Sequence, residues 1–217
     1  MEKFYKIFQK KFFPSPPQLG PLPLITISRE MGSGGKSTAN LVASYLGKPW
    51  SVYDHESIDK IAKNKQLEEK LIKSINPKKL PLADIIIAKT FGKRFSHLSG
   101  YQRHLIRVMT LIGLKGFSII LGRGANFLFP HALNIRMICQ FDQRIIWQMT
   151  YEHISRGEAA KRIEESDKER KAFVHSLFNH NHCKAYHYDF VIRTGSEVTV
   201  EDATGIIIDL TKRKFKI

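Results

Sequence analysis

The chain is short of cysteine, of acidic residues and of long apolar runs. Cys139 and Cys183 are its two cysteines in 217 residues. That is too few for a disulfide framework, and they read as reduced thiols in a cytosolic protein. No uninterrupted apolar stretch approaches the ~18 residues that a membrane-spanning helix requires. A soluble, cytoplasmic protein is therefore the expectation. Asp and Glu together number 20 against 35 Lys and Arg, a net charge of +15. Such an excess calls for an anionic ligand, and nucleotides, a nucleic acid or an acidic membrane would each balance it. The basic residues are scattered, with no aromatic-interleaved basic run of the RNA-binding kind, which argues against a nucleic-acid partner. Apolar residues make up 42% and charged residues 25%, ordinary for a globular domain, and the length suits a single core.

The first 23 residues stand apart from the rest. Met1 to Phe13 is rich in Lys and Phe but lacks the apolar core and small-residue cleavage site of a signal peptide. Phe4, Phe8 and Phe12 recur at one-turn spacing, with Lys3, Lys6 and Lys10 elsewhere on the wheel. A short basic amphipathic helix of this kind can touch a membrane surface. Packing of the aromatic stripe on the domain is the favoured reading. Pro14, Pro16, Pro17, Pro21 and Pro23 make the following connector stiff and extended. The division is thus a segment at 1–23 and a domain at 24–217.

Within the domain, short β-branched runs alternate with helical patterns. Strands are expected at Leu24–Ser28, Trp50–Tyr53, Phe117–Leu121, Ile135–Phe141 and Phe190–Arg193. Helices are expected over Ser37–Leu46, over Glu56 to about Gly116 with breaks near Asn76–Pro77 and Lys93–Gly100, and over Asp142–His153. Ser155 and Glu158 form a capping-box pair opening a long polar helix to about Leu177, and Thr199 with Asp202 caps the last helix. The alternation predicts an α/β fold, a parallel sheet covered on both faces.

The strongest motif follows the first strand: Glu30-Met31-Gly32-Ser33-Gly34-Gly35-Lys36-Ser37-Thr38. Its Gly-Lys-Ser ending, between a strand and a helix, is that of a phosphate-binding loop. Glycines let backbone N–H groups turn toward phosphate oxygens, and the helix N-terminus adds a positive dipole end. Lys36 would bridge the β- and γ-phosphates of ATP, and the Ser37 hydroxyl would ligate Mg²⁺. Glu30 stands where the general pattern has its first glycine.

With that loop placed, the chain resembles the cytidylate-kinase-like family of P-loop nucleoside monophosphate kinases from about Leu24 to Leu210. The resemblance is carried by Ile25-Thr26-Ile27-Ser28-Arg29-Glu30 running into the glycines, Tyr53-Asp54 with Glu56, Ile120-Leu121-Gly122-Arg123-Gly124, and Arg162-Ile163 with Ser166-Asp167-Lys168-Glu169-Arg170. The family's loop also opens with Ser-Arg-Glu, which accounts for Glu30. The resemblance implies a P-loop NTPase-type three-layer fold, with a five-stranded parallel sheet and a helical insertion serving as lid and nucleoside monophosphate site. It implies transfer of the γ-phosphoryl of Mg²⁺-ATP to a pyrimidine monophosphate, CMP first.

The implied nucleotide-binding set is Gly32, Ser33, Gly34, Gly35, Lys36, Ser37 and Thr38, with Ser37 on the metal. Asp54, at the end of the second strand, would face the acceptor. Arg123, at the carboxyl end of the third strand, would grip the acceptor phosphate with its guanidinium fork. Arg162, Asp167 and Arg170 lie on the long polar helix as lid candidates, with Arg144 a further one. Lys36, Arg123 and Arg170 are the candidate catalytic residues. No acid follows the third strand to hold the metal's water shell, which leaves open a nucleotide-binding regulatory protein with little turnover, or a kinase for another small acceptor. His175, His180, His182, Cys183 and His187 cluster after the long helix, at spacings that match no tetrahedral zinc pattern.

Overall fold

The computed structural model describes residues 23–217, so the basic amphipathic helix and the Pro-rich connector expected before Pro23 lie outside the described residues. Five strands form one sheet: β1 (Leu24–Arg29), β2 (Ser51–Tyr53), β3 (Ser118–Leu121), β4 (Leu133–Cys139) and β5 (Phe190–Thr194). All pair in parallel, in the order β2-β3-β1-β4-β5. The phosphate-loop strand β1 is therefore central, with Leu24 opposite Ser118 on one side and Ile25 opposite Leu133 on the other.

Side chains alternate across a strand, so each run feeds two cores. Ile25 and Ile27 point to one face with Ile119, Leu121, Ile135 and Met137, and there they meet α1 (Gly35–Leu46) and α10 (Val200–Phe215) through Val42, Ala203 and Ile207. Leu24 and Ile120 point to the other face. Complete burial of each isoleucine contributes about 1.5–3 kcal/mol. Thr26 is a polar residue inside β1, and its hydroxyl is satisfied by Asn134 Oδ1 across the strand pair at 2.6 Å.

The second face is covered by a helical insertion between β2 and β3. It comprises α2 (His55–Lys63), α3 (Lys65–Lys73), α4 (Leu82–Phe91), α5 (Arg94–His97) and α6 (Gly100–Lys115). A 3₁₀ turn at Pro77–Lys79 and the short α5 occupy the two expected breaks. α7 (Ala125–Leu128) follows β3, and α8 (Phe141–Glu152) and α9 (Arg156–Phe178) lie between β4 and β5. β4 begins two residues earlier than its apolar run suggests and ends at Cys139, because Gln140 caps α8 and Phe141 already belongs to that helix. The capping box at Ser155 forms only by half. Ser155 accepts from the Glu158 N–H, but the Glu158 carboxylate turns to Arg162 at 2.7 Å. The box at Thr199 and Asp202 is complete. No helix among the described residues is long and apolar enough to cross a membrane.

Candidate functional site

The chain leaves β1 into a loop built for close approach. Gly32 and Gly34 have φ of +78° and +75°, values that L side chains rarely adopt. A Cβ on Gly34 would lie 2.6 Å from Val200 Cγ2. α1 starts at Gly35 with no side-chain cap and no acid in its first turn. Its first N–H groups and its positive dipole end therefore face outward unopposed, which suits a phosphate. Lys36 is 64% exposed at that end and bridges to Asp54 Oδ2 at 3.2 Å. Asp54 also caps α2, accepting from the Ser57 N–H at 2.9 Å. Burial works against its charge, but the Ser57 hydrogen bonds and the Lys36 ammonium outweigh that and bring its pKa down to about 2.

Behind the loop sits an ionic scaffold. Glu30 accepts from the Cys139 N–H at 3.1 Å, from Arg136 Nη2 at 3.4 Å and from Arg144 Nη1 at 3.5 Å. Arg144 Nε donates to the Met31 carbonyl at 2.6 Å, and Arg144 Nη2 donates to Asp167. Asp167 in turn accepts from the Met31 N–H at 3.1 Å and from Arg170 Nη1 at 3.1 Å. Glu30, Arg144, Asp167 and Arg170 thus join the loop to α9 in one continuous chain of charge. The acid in the first position of the loop is structural.

Beside the loop, at the carboxyl ends of β1 and β3, opens a cavity of about 350 Å³. Arg29, Arg123, Arg170, Asn126, Phe173 and His182 are among its walls. The turn Gly122-Arg123-Gly124 carries three successive positive φ values, +82°, +56° and +70°. Arg123 is the one non-glycine among them, and its backbone is held in a strained region that aims the side chain along the cavity. Its Nη2 pairs with Asp59 Oδ2 at 3.0 Å, and its guanidinium lies 4.4 Å from the centre of the Phe173 ring. Asp59 is itself held by the Tyr101 hydroxyl at 3.1 Å. Arg123 Nε, Asn126 Nδ2 and His182 Nδ1 are buried without a hydrogen-bond partner, although Asn126 and His182 are only 6% and 7% exposed. Buried polar atoms are rarely left so, and three together on one cavity suit a polar occupant. Burial, with Arg136 second, lowers the His182 pKa to about 4, so its ring is neutral at pH 7.

The structure brings Gly32 to Thr38, Arg123, Asp167 and Arg170 into this one region. Asp54 stands beside Lys36 at the phosphate-loop end, and does not line the cavity. Arg162 is outside it: its side chain is 46% exposed and spent on Glu158 four residues back. Arg144, read as a lid candidate, is buried under the loop. Arg29, Asn126 and His182 line the same cavity, and the sequence does not single them out for it. Arg29 lies in the motif, where its spacing to the glycines carries no role of its own, and Asn126 follows the Gly122–Gly124 turn by two residues. His182 was visible only within a histidine-rich stretch, of which His180 stacks on Phe127 at 4.7 Å and His187 packs edge-on to the same ring.

The profile of the cytidylate kinase-like family matches residues 24–196. The fold is similar to that of an uncharacterized protein from Eubacterium ventriosum, at a TM-score of 0.60 and 22% identity, over 89% of this chain and 99% of that one. A protein from Thermus thermophilus, TT1252, aligns at 18% identity and a TM-score of 0.47 over 88% of this chain and 98% of its own. A uronate isomerase from Corynebacterium glutamicum is 30% identical over 102 residues, which is 46% of this chain and 20% of that protein. The chain thus spans only a fifth of that relative's length. With the family match covering the strands, the phosphate loop, the Gly-Arg-Gly turn and the long helix, the chain belongs to the cytidylate kinase-like family.

Proposed function

We propose that the protein is an ATP-dependent nucleoside monophosphate kinase, with CMP or dCMP as acceptor. The observation that carries this reading is the adjacency of two unlike anion sites: an uncapped helix N-terminus with Lys36, and an arginine-lined cavity with unpartnered donors. Phosphoryl transfer asks a protein chiefly to position and neutralise two phosphates, so two such sites side by side are what the reaction requires.

The loop N–H groups and Lys36 would hold the β- and γ-phosphates. Ser37, exposed in the first turn of α1, and Asp54, kept ionised beside Lys36, offer the hard oxygen donors that suit Mg²⁺ and its water shell. That assigns the missing acid to the end of β2 in place of β3. Mg²⁺ when bound would neutralise the phosphate oxygens and orient the γ-phosphoryl group. Arg123, with Nε unpartnered and Nη2 fixed by Asp59, would grip the acceptor phosphate. Arg170, held by Asp167, would stabilise charge as the phosphoryl group crosses. No general base is needed, because the attacking oxygen already belongs to a phosphate anion. Closure of the α9 side over the cavity would exclude water, the competing acceptor.

The test is a coupled assay of ADP formation with Mg²⁺-ATP against a panel of nucleoside monophosphates, with wild type and Lys36→Ala side by side. The expected result is turnover with a pyrimidine acceptor that falls at least ~100-fold in the variant. ATP binding without acceptor-dependent turnover would overturn the kinase reading in favour of a regulatory nucleotide-binding protein.

A further inference from the structure

At the amino ends of the strands, the pole of the sheet opposite the phosphate loop, lies an apolar groove of about 670 Å³. Leu24, the first residue of β1, lines it together with Leu82, Ile86, Phe129, Ala132 and Phe178. Its polar side chains among the described residues are Lys89, Thr90, His131 and His180, and no acid is present. Ile85, on the α4 side, is left 47% exposed. Contiguous apolar surface in a hollow of this size marks a binding site. The chain itself supplies a candidate occupant, because residues 14–22 run directly into Pro23 and Leu24 and so begin at the groove's edge. Pro14-Ser15-Pro16-Pro17-Gln18-Leu19-Gly20-Pro21-Leu22 carries no charge. Its prolines favour the polyproline form that aromatic grooves bind at low entropic cost, and Phe127, Phe129 and Phe178 give this groove an aromatic lining. The stripe at Phe4, Phe8 and Phe12 is the rival occupant, and two observations count against it. It brings Lys3, Lys6, Lys10 and Lys11 toward a groove that holds Lys89 and no acid. A polyproline stretch also rises about 3.1 Å per residue, so an extended connector sets Phe12 about 34 Å from Pro23, far past a groove of this volume.

We infer that residues 14–22 lie in this groove as an intramolecular strap, with Leu19 and Leu22 as its apolar anchors. A polyproline helix has three residues per turn, so Pro16, Leu19 and Leu22 fall on one edge and present one apolar face to one surface. Proline has no N–H, so burying Pro16, Pro17 and Pro21 leaves no backbone donor unsatisfied there. The fixed φ of each proline also lowers the entropy lost on docking. Ile85, half-exposed in the described residues, is the groove residue with the most apolar surface for the strap to cover.

The experiment follows thermal unfolding and amide hydrogen exchange of the full chain at two protein concentrations. The proteins are wild type, Leu19→Asp/Leu22→Asp, Phe4→Asp/Phe8→Asp, and Ile85→Gln in the wild-type and Leu19→Asp/Leu22→Asp backgrounds. Leu19→Asp/Leu22→Asp should melt about 5–10 °C below wild type, and the amides of α4 and of residues 127–132 should exchange at least ~10-fold faster. Phe4→Asp/Phe8→Asp should leave exchange at those amides unchanged. Glutamine is a good helix former, so Ile85→Gln loses chiefly what covers the side chain. It should lower the melting temperature by about 2–4 °C in wild type and by less than half as much once the strap is displaced. Leu19→Ala/Leu22→Ala, with the same signs and a smaller shift, serves if the aspartate pair does not fold. Strap variants that melt and exchange as wild type would overturn the inference, as would an Ile85→Gln loss that is the same in both backgrounds. Faster exchange at the groove in Phe4→Asp/Phe8→Asp, with none in the Leu19/Leu22 variants, would assign the groove to the stripe instead. A wild-type melting temperature that rises with protein concentration, with a dimer in sedimentation and no effect of the Leu19/Leu22 variants on the groove, would assign it to a second copy.

Discussion

Replacing Glu30 by glycine would restore the first glycine of the general phosphate-loop pattern, yet here it should damage the protein. The Glu30 carboxylate faces Arg136 and Arg144, whose side chains are only 4% and 6% exposed. Arg144 keeps a second carboxylate in Asp167, but Glu30 is the one acid paired with Arg136 among the described residues. Without it, Arg136 retains the Ser28 hydroxyl at 3.0 Å and the face of Tyr188 at 5.9 Å. Removing one partner of a fully buried pair costs about 3–5 kcal/mol, and the 24% exposure of Glu30 lets water recover part of that. A loss of about 3 kcal/mol follows, which in a domain of this size lowers the melting temperature by about 6–12 °C. Glu30→Gln separates charge from shape, because the amide oxygen can still accept from the Cys139 N–H. It should show most of the loss, and Glu30→Gly should show all of it. Thermal or urea unfolding followed by circular dichroism measures both. A Glu30→Gln protein melting within about 2 °C of wild type would refute the reasoning, since the buried arginines would then have needed no acid.

Gly122→Ala should destabilise by about 1–3 kcal/mol, because its φ is +82° and the new methyl would meet the Arg29 guanidinium; unfolding in urea checks it. In the ADP-formation assay, Arg123→Ala should lower kcat/KM by about 10²- to 10³-fold. Arg162→Ala should leave kcat/KM unchanged and shift stability by no more than about 0.5 kcal/mol, the worth of an exposed i,i+4 pair. His182 has a folded pKa of about 4 against an ordinary 6.5, so the unfolded chain takes its proton first as pH falls. Its contribution is full above pH 6.5 and shrinks by about 3 kcal/mol on the way down to pH 4. Urea titrations between those pH values should show a shallower slope for His182→Asn, and an identical slope in both proteins would contradict the burial of the neutral ring.

Much of the frame was legible because it depends on local pattern. Five β-branched runs became the five strands, since such runs bury on both faces of a parallel sheet and little else accommodates them. The loop's glycines, Lys36 and Ser37 were readable because the motif is contiguous and its conformation is set by local backbone. The capping box at Ser155 failed by half for a reason no local pattern contains. Glu158 had two partners within reach, the Ser155 N–H and Arg162, and its carboxylate went to the cation.

The sequence by itself determined the strands, the glycine-rich loop, the helical breaks near Asn76–Pro77 and Lys93–Gly100, and the family, all through short-range spacing and residue type. Tertiary structure alone decided what the charged side chains do. Glu30, Arg144, Asp167 and Arg170 are scattered over 141 residues of chain and meet only because β1, α8 and α9 pack together. The same packing sends Arg162 to solvent and Arg170 to the cavity, although both sit on one helix. It also leaves Arg29, directly before the loop, with a backbone carbonyl and no acid as partner among the described residues. A charge takes its role from the partners within about 4 Å, and those partners are chosen by the fold.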